Sequence, residues 1–239
     1  KRQVPALLHD GYRAENLADG RKARSLREAM EQELRQRPDH PYACAKLAGL
    51  ELSEGRPKRA LRLLRRGLAA CGPDAVAERY ELLLHLALAL APEDPQQARR
   101  RYSEALALPL DPLLSLGARL NLAALLLRLG DLEEALAEAR HVTRLAPELG
   151  LGWYNLGLIQ RQRGRLREAI EAYRQAISCE PGHAEAHQNL AAASLLAGDI
   201  EAARNGFRRA IALLREQDRP QEAEALAARA ATIVRLDPR

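Results

Sequence analysis

Aromatic side chains are scarce, at 3% of the 239 residues, and no window shows the period-two alternation of apolar and polar residues that a half-buried strand requires. A β-rich core is therefore not expected. The three cysteines, Cys44, Cys71 and Cys179, are odd in number and have no C-x-x-C spacing. They predict neither a disulfide framework nor a zinc site, and point to a reducing compartment, the cytoplasm. The longest apolar run, Leu82 to Ala91, is interrupted by His85 and is too short to span a bilayer.

Motifs that carry chemistry are missing too. There is no G-x-S-x-G, no Walker A and no D-x-D. Gly150-Leu-Gly152 begins like a dinucleotide fingerprint, but Asn155 stands where the third glycine belongs and no strand precedes it, so it marks a helix-to-helix turn. His183 and His187 are four apart, yet the intervening Glu185 is in the wrong slot for H-E-x-x-H and no third ligand is near. No metal, no cofactor and no enzymatic activity are expected of this chain. Charge is almost balanced, 37 basic against 32 acidic residues for a net of +5, and interspersed. The arginine clusters at 62–66, 99–101, 161–167 and 204–209 fall mostly on second helices of the repeats described below. They are expected to form a solvated face near glutamates at i±4, with no nucleic-acid role.

What the chain has in quantity is alanine, leucine, arginine and glutamate, all strong helix formers, arranged with a long period. Counting from Gly150, Trp153, Leu156, Gly157, Ala169, Tyr173, Ala176 and Pro181 occupy positions 4, 7, 8, 20, 24, 27 and 32 of a 34-residue unit. A 34-residue step forward finds Leu190, Ala191, Ala203, Phe207 and Ala210; a step back finds Leu122, Ala123, Ala135, Ala139, Val142 and Pro147. Two looser units precede these, with Leu82, His85, Leu86, Ala98, Tyr102 and Ala105 in one and Leu47, Ala48, Ala60, Leu64 and Gly67 in the other. Each unit is two amphipathic helices, meeting through small residues and wedged by large ones, neither able to bury its apolar stripe alone.

This pattern resembles the tetratricopeptide repeat (TPR) family. The fold class it implies is all-α, a right-handed TPR α-solenoid of about five repeats with capping helices, forming one elongated domain. Residues 1–20 are an irregular lead-in and 21–40 an amino-terminal capping helix. Five repeats span 41–217, starting near 41, 79, 116, 150 and 184, and 218–239 is a carboxy-terminal capping helix. The helices of each pair are expected to part at Gly55, between Pro92 and Pro95, and at Gly130, Gly164 and Gly198. In this register Trp153 and Tyr173 are buried wedges, and alanine at either is expected to cost about 3 to 5 kcal/mol.

The functional expectation rests on Asn121, Asn155 and Asn189, each at position 6 and 34 residues apart. In the family that position faces the concave groove, so an identical polar residue in three units is not required by packing. An asparagine can both donate to and accept from a peptide main chain. The three resemble the asparagine ladder of the TPR region of O-GlcNAc transferase; the plainer alternative is consensus asparagine bonding locally. Neighbouring groove positions hold Tyr42, Tyr80, Leu83, Leu120, Tyr154, Leu158, Arg161 and Gln188, a lining suited to a polypeptide segment. The clamp that chaperone-tail binders build from lysine and arginine is not expected, because Leu120, Tyr154, Gln188 and Glu185 fill its slots.

The predicted function is a protein-interaction scaffold, with an architectural or self-associating module as the alternative. The chain opens on Lys1 with no start signal, as a piece of a longer protein would. VPALLHDGYRAEN, followed by RPDHPYACAKLAGLELSEG, resembles the junction in bacterial, especially cyanobacterial, family 2 glycosyltransferases with a carboxy-terminal TPR region. The resemblance implies a scaffold that recruits an acceptor or partner to such an enzyme.

Overall fold

The computed structural model describes residues 20–234, and every regular element there is helical. The chain's contacts gather into two compact units, the second beginning at Gly130. The first contains α1 (Gly20–Gln36), α2 (Pro41–Ser53), α3 (Pro57–Ala70), α4 (Val76–Leu90), α5 (Pro95–Leu106), a short 3₁₀ turn (Pro112–Ser115) and α6 (Leu116–Leu129). The second contains α7 (Leu132–Leu145), α8 (Gly150–Gln162), α9 (Leu166–Cys179), α10 (Ala184–Leu196), α11 (Ile200–Glu216) and α12 (Pro220–Val234). Within each unit, helices pack chiefly on those before and after them in the chain. The amino-terminal lead-in, including HDGY and all but the last residue of 1–20, lies outside the described residues.

Helices begin at Pro41, Leu116, Gly150 and Ala184, the first residues of four of the five units, and at Val76, three residues ahead of Arg79, in the fifth. Local chemistry sets these starts. Pro41 and Pro95 occupy first-turn positions where no N–H is needed. Side chains of Asp94, His183 and Asp199 accept the N–H groups of Gln97, Ala186 and Ala202 at 2.9, 3.0 and 2.9 Å. Asp131, at the phase of Asp199, makes no such bond to α7. Gly55, Gly130, Gly164 and Gly198 turn the chain with φ between 72° and 88°, a region costly for a residue with a Cβ. Asp218 takes the same kind of turn before α12, at φ 55°.

The two helices of a repeat approach closely. A Cβ on Gly157 of α8 would lie 2.5 Å from Cε1 of Tyr173 on α9, and one on Gly206 of α11 would lie 2.8 Å from the Ala191 Cβ on α10. Tyr173 is fully buried, and burial pushes its phenol well above the ordinary value. Trp153 departs from expectation. It is only part-buried, because its ring lies toward the turn before α8, where Nε1 donates to the Pro147 carbonyl at 2.7 Å.

Pro112–Leu129 is the one described stretch long and apolar enough to cross a membrane, but 61% of it is buried inside the protein. Leu120 and Leu122 to Leu127 belong to the core. That burial is the behaviour of a core helix.

In the first unit α1 is fastened by charge. The Glu51 carboxylate on α2 is fully buried, accepting from Arg27 of α1 and from Arg56 at 2.6 Å each, with Arg59 at 3.5 Å. Burial alone would raise the Glu51 carboxyl, but the Arg27 and Arg56 hydrogen bonds outweigh it and hold it below its ordinary 4.5. A carboxyl depressed in the folded state stabilises fully above its unfolded value, and this stability is lost as pH falls through the folded value.

Two stability predictions follow from these contacts. Gly157→Ala should cost about 1 to 3 kcal/mol by overpacking, and Trp153→Ala should cost less than Tyr173→Ala. Urea unfolding of the three variants measures the order, and equal costs for Trp153 and Tyr173 would contradict the placement. Glu51→Gln should cost about 1 to 3 kcal/mol at neutral pH, moderated because the guanidiniums reach solvent. Its deficit against wild type should narrow as pH is lowered below 4.5, in melts followed by circular dichroism.

Candidate binding surface

The predicted groove residues sit on first helices, but most are covered. Asn121, Asn155 and Asn189 are 0%, 1% and 1% exposed, so the expectation of a position outside the core is corrected. Leu83, Leu120, Tyr154 and Leu158 are buried as well. Tyr80, Arg161 and Gln188 are part-buried, and Tyr42 is 43% exposed, with the Lys46 ammonium 5.3 Å from its ring centre. The structure brings together Tyr154 and Asn189 from this set. In the second unit the physical reason for their burial is visible. Nδ2 of Asn189 on α10 donates to the Tyr154 hydroxyl on α8 at 3.0 Å, so successive first helices meet where an open ladder was expected.

Tyr154 is the centre of this contact. Its ring lies 4.7 Å from that of His183 and 6.2 Å from that of Tyr173, centre to centre. Burial first, and then the Glu185 carboxylate, push its phenol up to about 12. The two histidines singled out by their spacing serve local bonds. His183 caps α10 through Nδ1, and His187 Nε2 donates to the Pro181 carbonyl at 3.1 Å.

Beside Tyr154 and Asn189, the accessible part of this surface lies toward the end of the unit. α10, α11 and α12 enclose an open cleft of about 560 Å³ lined by Glu185, Gln188, Leu214, Arg219, Glu222, Ala225 and Arg229. Arg219 donates to Glu222 from Nε at 2.7 Å and Nη2 at 2.9 Å, and from Nη2 to Glu185 at 2.7 Å. The Arg219 hydrogen bond holds the Glu222 carboxyl below its ordinary value. Arg229 donates to the Ala225 carbonyl at 3.1 Å and has no carboxylate partner among the described residues. Polar groups of both signs, together with the apolar Leu214 and Ala225, give the cleft the means to hold main chain and an apolar side chain at once.

Glu222 and Arg229 were legible. Another 34-residue step from Tyr154 and Gln188 lands on Glu222, and the matching step series from Arg161 lands on Arg229. Treating the last helix only as a cap hides them.

Tetratricopeptide repeat models match residues 78–149, 151–183 and 172–205. The chain belongs to the tetratricopeptide repeat family. It is 38% identical over 219 residues to a TPR repeat-containing protein of Synechococcus elongatus, covering 91% of this chain and 54% of that protein. It is also 38% identical over 77 residues to the TPR repeat-containing thioredoxin TTL4 of Arabidopsis thaliana, covering 32% of this chain and 11% of TTL4. The chain thus spans about half the length of the first of these curated relatives and far less of the second. Among solved structures, MamA from Desulfovibrio magneticus RS-1 matches with a TM-score of 0.63 at 26% identity, over 75% of this chain and 98% of that one. YrrB, described as a TPR protein with an unusual peptide-binding site, matches with a TM-score of 0.60 at 18% identity, over 83% of this chain and 99% of that one. These likenesses assign the fold class, all-α TPR.

The Asn189–Tyr154 bond predicts coupling. In a double-mutant cycle of Asn189→Ala and Tyr154→Phe, the interaction should be about 0.5 to 1.5 kcal/mol, and additive effects would show that the bond contributes nothing. Because the Tyr154 phenol is raised on folding, the stability it contributes is present below the unfolded value of 10 and lost as pH rises toward about 12. Tyr154→Phe should therefore flatten the alkaline limb of the melting-temperature profile.

Proposed function

We propose that the chain is a protein-interaction scaffold that holds a polypeptide segment along the first-helix face of its second unit. The observation that carries this reading is the cleft at α10 and α12, where Gln188, Arg219, Glu222 and Arg229 converge around Leu214. An extended segment laid there would exchange main-chain hydrogen bonds with Gln188 and meet a charge of either sign beside it. Arg161 would extend the same surface onto α8. Asn155 and Asn189 act from beneath, setting the positions of Tyr154 and the first helices instead of gripping the client, and Asn121 holds the same repeat position in the first unit. Tyr42 and Tyr80 are the amino-terminal counterparts. Membership of the TPR family supports a binding role.

Self-association is a second reading, favoured by Leu196 and Ile200, which flank the Gly198 turn at 66% and 51% exposure. Recruitment to a glycosyltransferase remains the reading of the amino-terminal segment alone, which lies outside the described residues.

The test is a selection of peptides from a random phage library on the intact chain, followed by affinity measurements. Selected peptides should bind about tenfold more weakly to an Arg161→Ala, Gln188→Ala, Arg229→Ala variant and unchanged to an Arg174→Ala, Arg208→Ala variant. Peptides indifferent to the first variant would remove the cleft as the site. No selected peptide, with a mass that rises with concentration in sedimentation and falls back in Leu196→Ser, Ile200→Ser, would favour self-association.

A further inference from the structure

The arginine clusters are not alike. In the second unit, α7, α9 and α11 mix both signs, and Arg163, Arg204 and Arg209 lie against Glu133, Glu201 and Glu216. α3, in the first unit, carries Lys58, Arg59, Arg62, Arg65 and Arg66 and not one acidic residue. Local glutamates cannot neutralise it, which corrects the expectation of i±4 pairing for this cluster. Arg59 lies against Glu51, and Arg66 is near enough to the Cys44 thiol to favour its ionised form. Lys58, Arg62 and Arg65 remain. They are exposed, stand at i, i+4 and i+7 on one face of α3, and have no carboxylate partner among the described residues. Over about two helical turns, three adjacent cations repel one another with no ion pair among the described residues to offset them.

The stripe ends at a pocket. Between α3, α4 and α5 lies a hollow of about 270 Å³ whose floor is Leu68, Leu86 and Leu90, with Arg65 on one rim and Arg101 on the other. A polyphosphate strand would use the cations and leave this apolar floor empty, and no aromatic for base stacking is among the described residues lining it. A protein segment uses both.

We infer that the Lys58–Arg62–Arg65 face of α3 docks an acidic amphipathic segment of a partner protein, with one apolar side chain of that segment seated in the pocket between Arg65 and Arg101. Glutamates spaced at i, i+4 and i+7 on a partner helix match the cation spacing. An apolar residue one turn further reaches Leu68 and Leu86. This face belongs to the first unit and the cleft at α10 and α12 to the second.

Fluorescence anisotropy with defined probes tests this. The probes are a dye-labelled helical peptide of about 14 residues with three glutamates at that spacing and a leucine beyond them, its glutamine counterpart, a single-stranded DNA, and phosphatidylserine vesicles read by co-sedimentation. The glutamate peptide should bind, weaken as salt rises, and exceed its glutamine counterpart by about tenfold or more. Lys58→Gln, Arg62→Gln, Arg65→Gln should abolish that margin, and Ala69→Gln, which crowds the pocket without changing charge, should weaken the peptide severalfold. An equal loss of charge through Arg174→Gln, Arg208→Gln, Arg209→Gln should change nothing. Melting curves confirm that each variant folds, which the exposure of these side chains favours. The inference is overturned by no peptide binding, by equal loss in the control variant, or by tighter capture of DNA or vesicles with Ala69→Gln silent.

Discussion

The distance at which the two helices of a repeat can approach governs the rest of each unit. At Gly157 the absence of a Cβ admits the Tyr173 ring, and at Gly206 it admits Ala191. Close pairs bring successive first helices within hydrogen-bonding reach, as the Tyr154 hydroxyl and Asn189 amide demonstrate. The same closeness removes the asparagines from water. What stays accessible is the margin of that surface, at Gln188, Arg161 and the cleft where α12 replaces a full repeat. The size of small residues in the hairpin therefore decides which polar residues stay accessible to solvent.

Arginine plays three parts in this chain, set by what lies within a few ångströms. Around Glu51 three guanidiniums surround one buried carboxylate and fasten α1 to the first hairpin. At the edge of the cleft, Arg219 is divided between Glu185 and Glu222 and braces the start of α12. On α3 the stripe has no counter-charge of its own. Composition alone reports only a small net positive charge, since it averages over all three.

Most helix starts were legible because the signals that set them are local. Pro41, the cap residues ahead of Ala184 and Ile200, and the turn glycines act over a few residues, and the 34-residue period repeats them. The start at Val76 was missed by three residues, since the linker 71–75 replaces the regular turn and carries no cap bond. Burial of Asn121, Asn155 and Asn189 was not legible. It depends on spacing between neighbouring helices, which periodicity along one chain does not report. The part-exposure of Trp153 is likewise a result of packing. The cleft was partly written in the period, through Glu222 and Arg229, and the chemistry of α3 was written in its lack of glutamate.

The glycine turns have a further consequence. At Gly55, Gly164 and Gly198 a Cβ would meet no atom within 4 Å beyond its chain neighbours, so the glycine itself presses on no other element. Backbone conformation restricts these tips, and crowding does not. An insertion at the glycine itself therefore meets open space, while the residues flanking it keep their bonds, as Glu54 does to Arg27 and Arg163 does to Glu133. The architecture is modular in a genetic as well as a mechanical sense. Duplication of one 34-residue segment delivers another such hairpin, and later changes at its exposed positions can alter its surface while the packing beneath is retained.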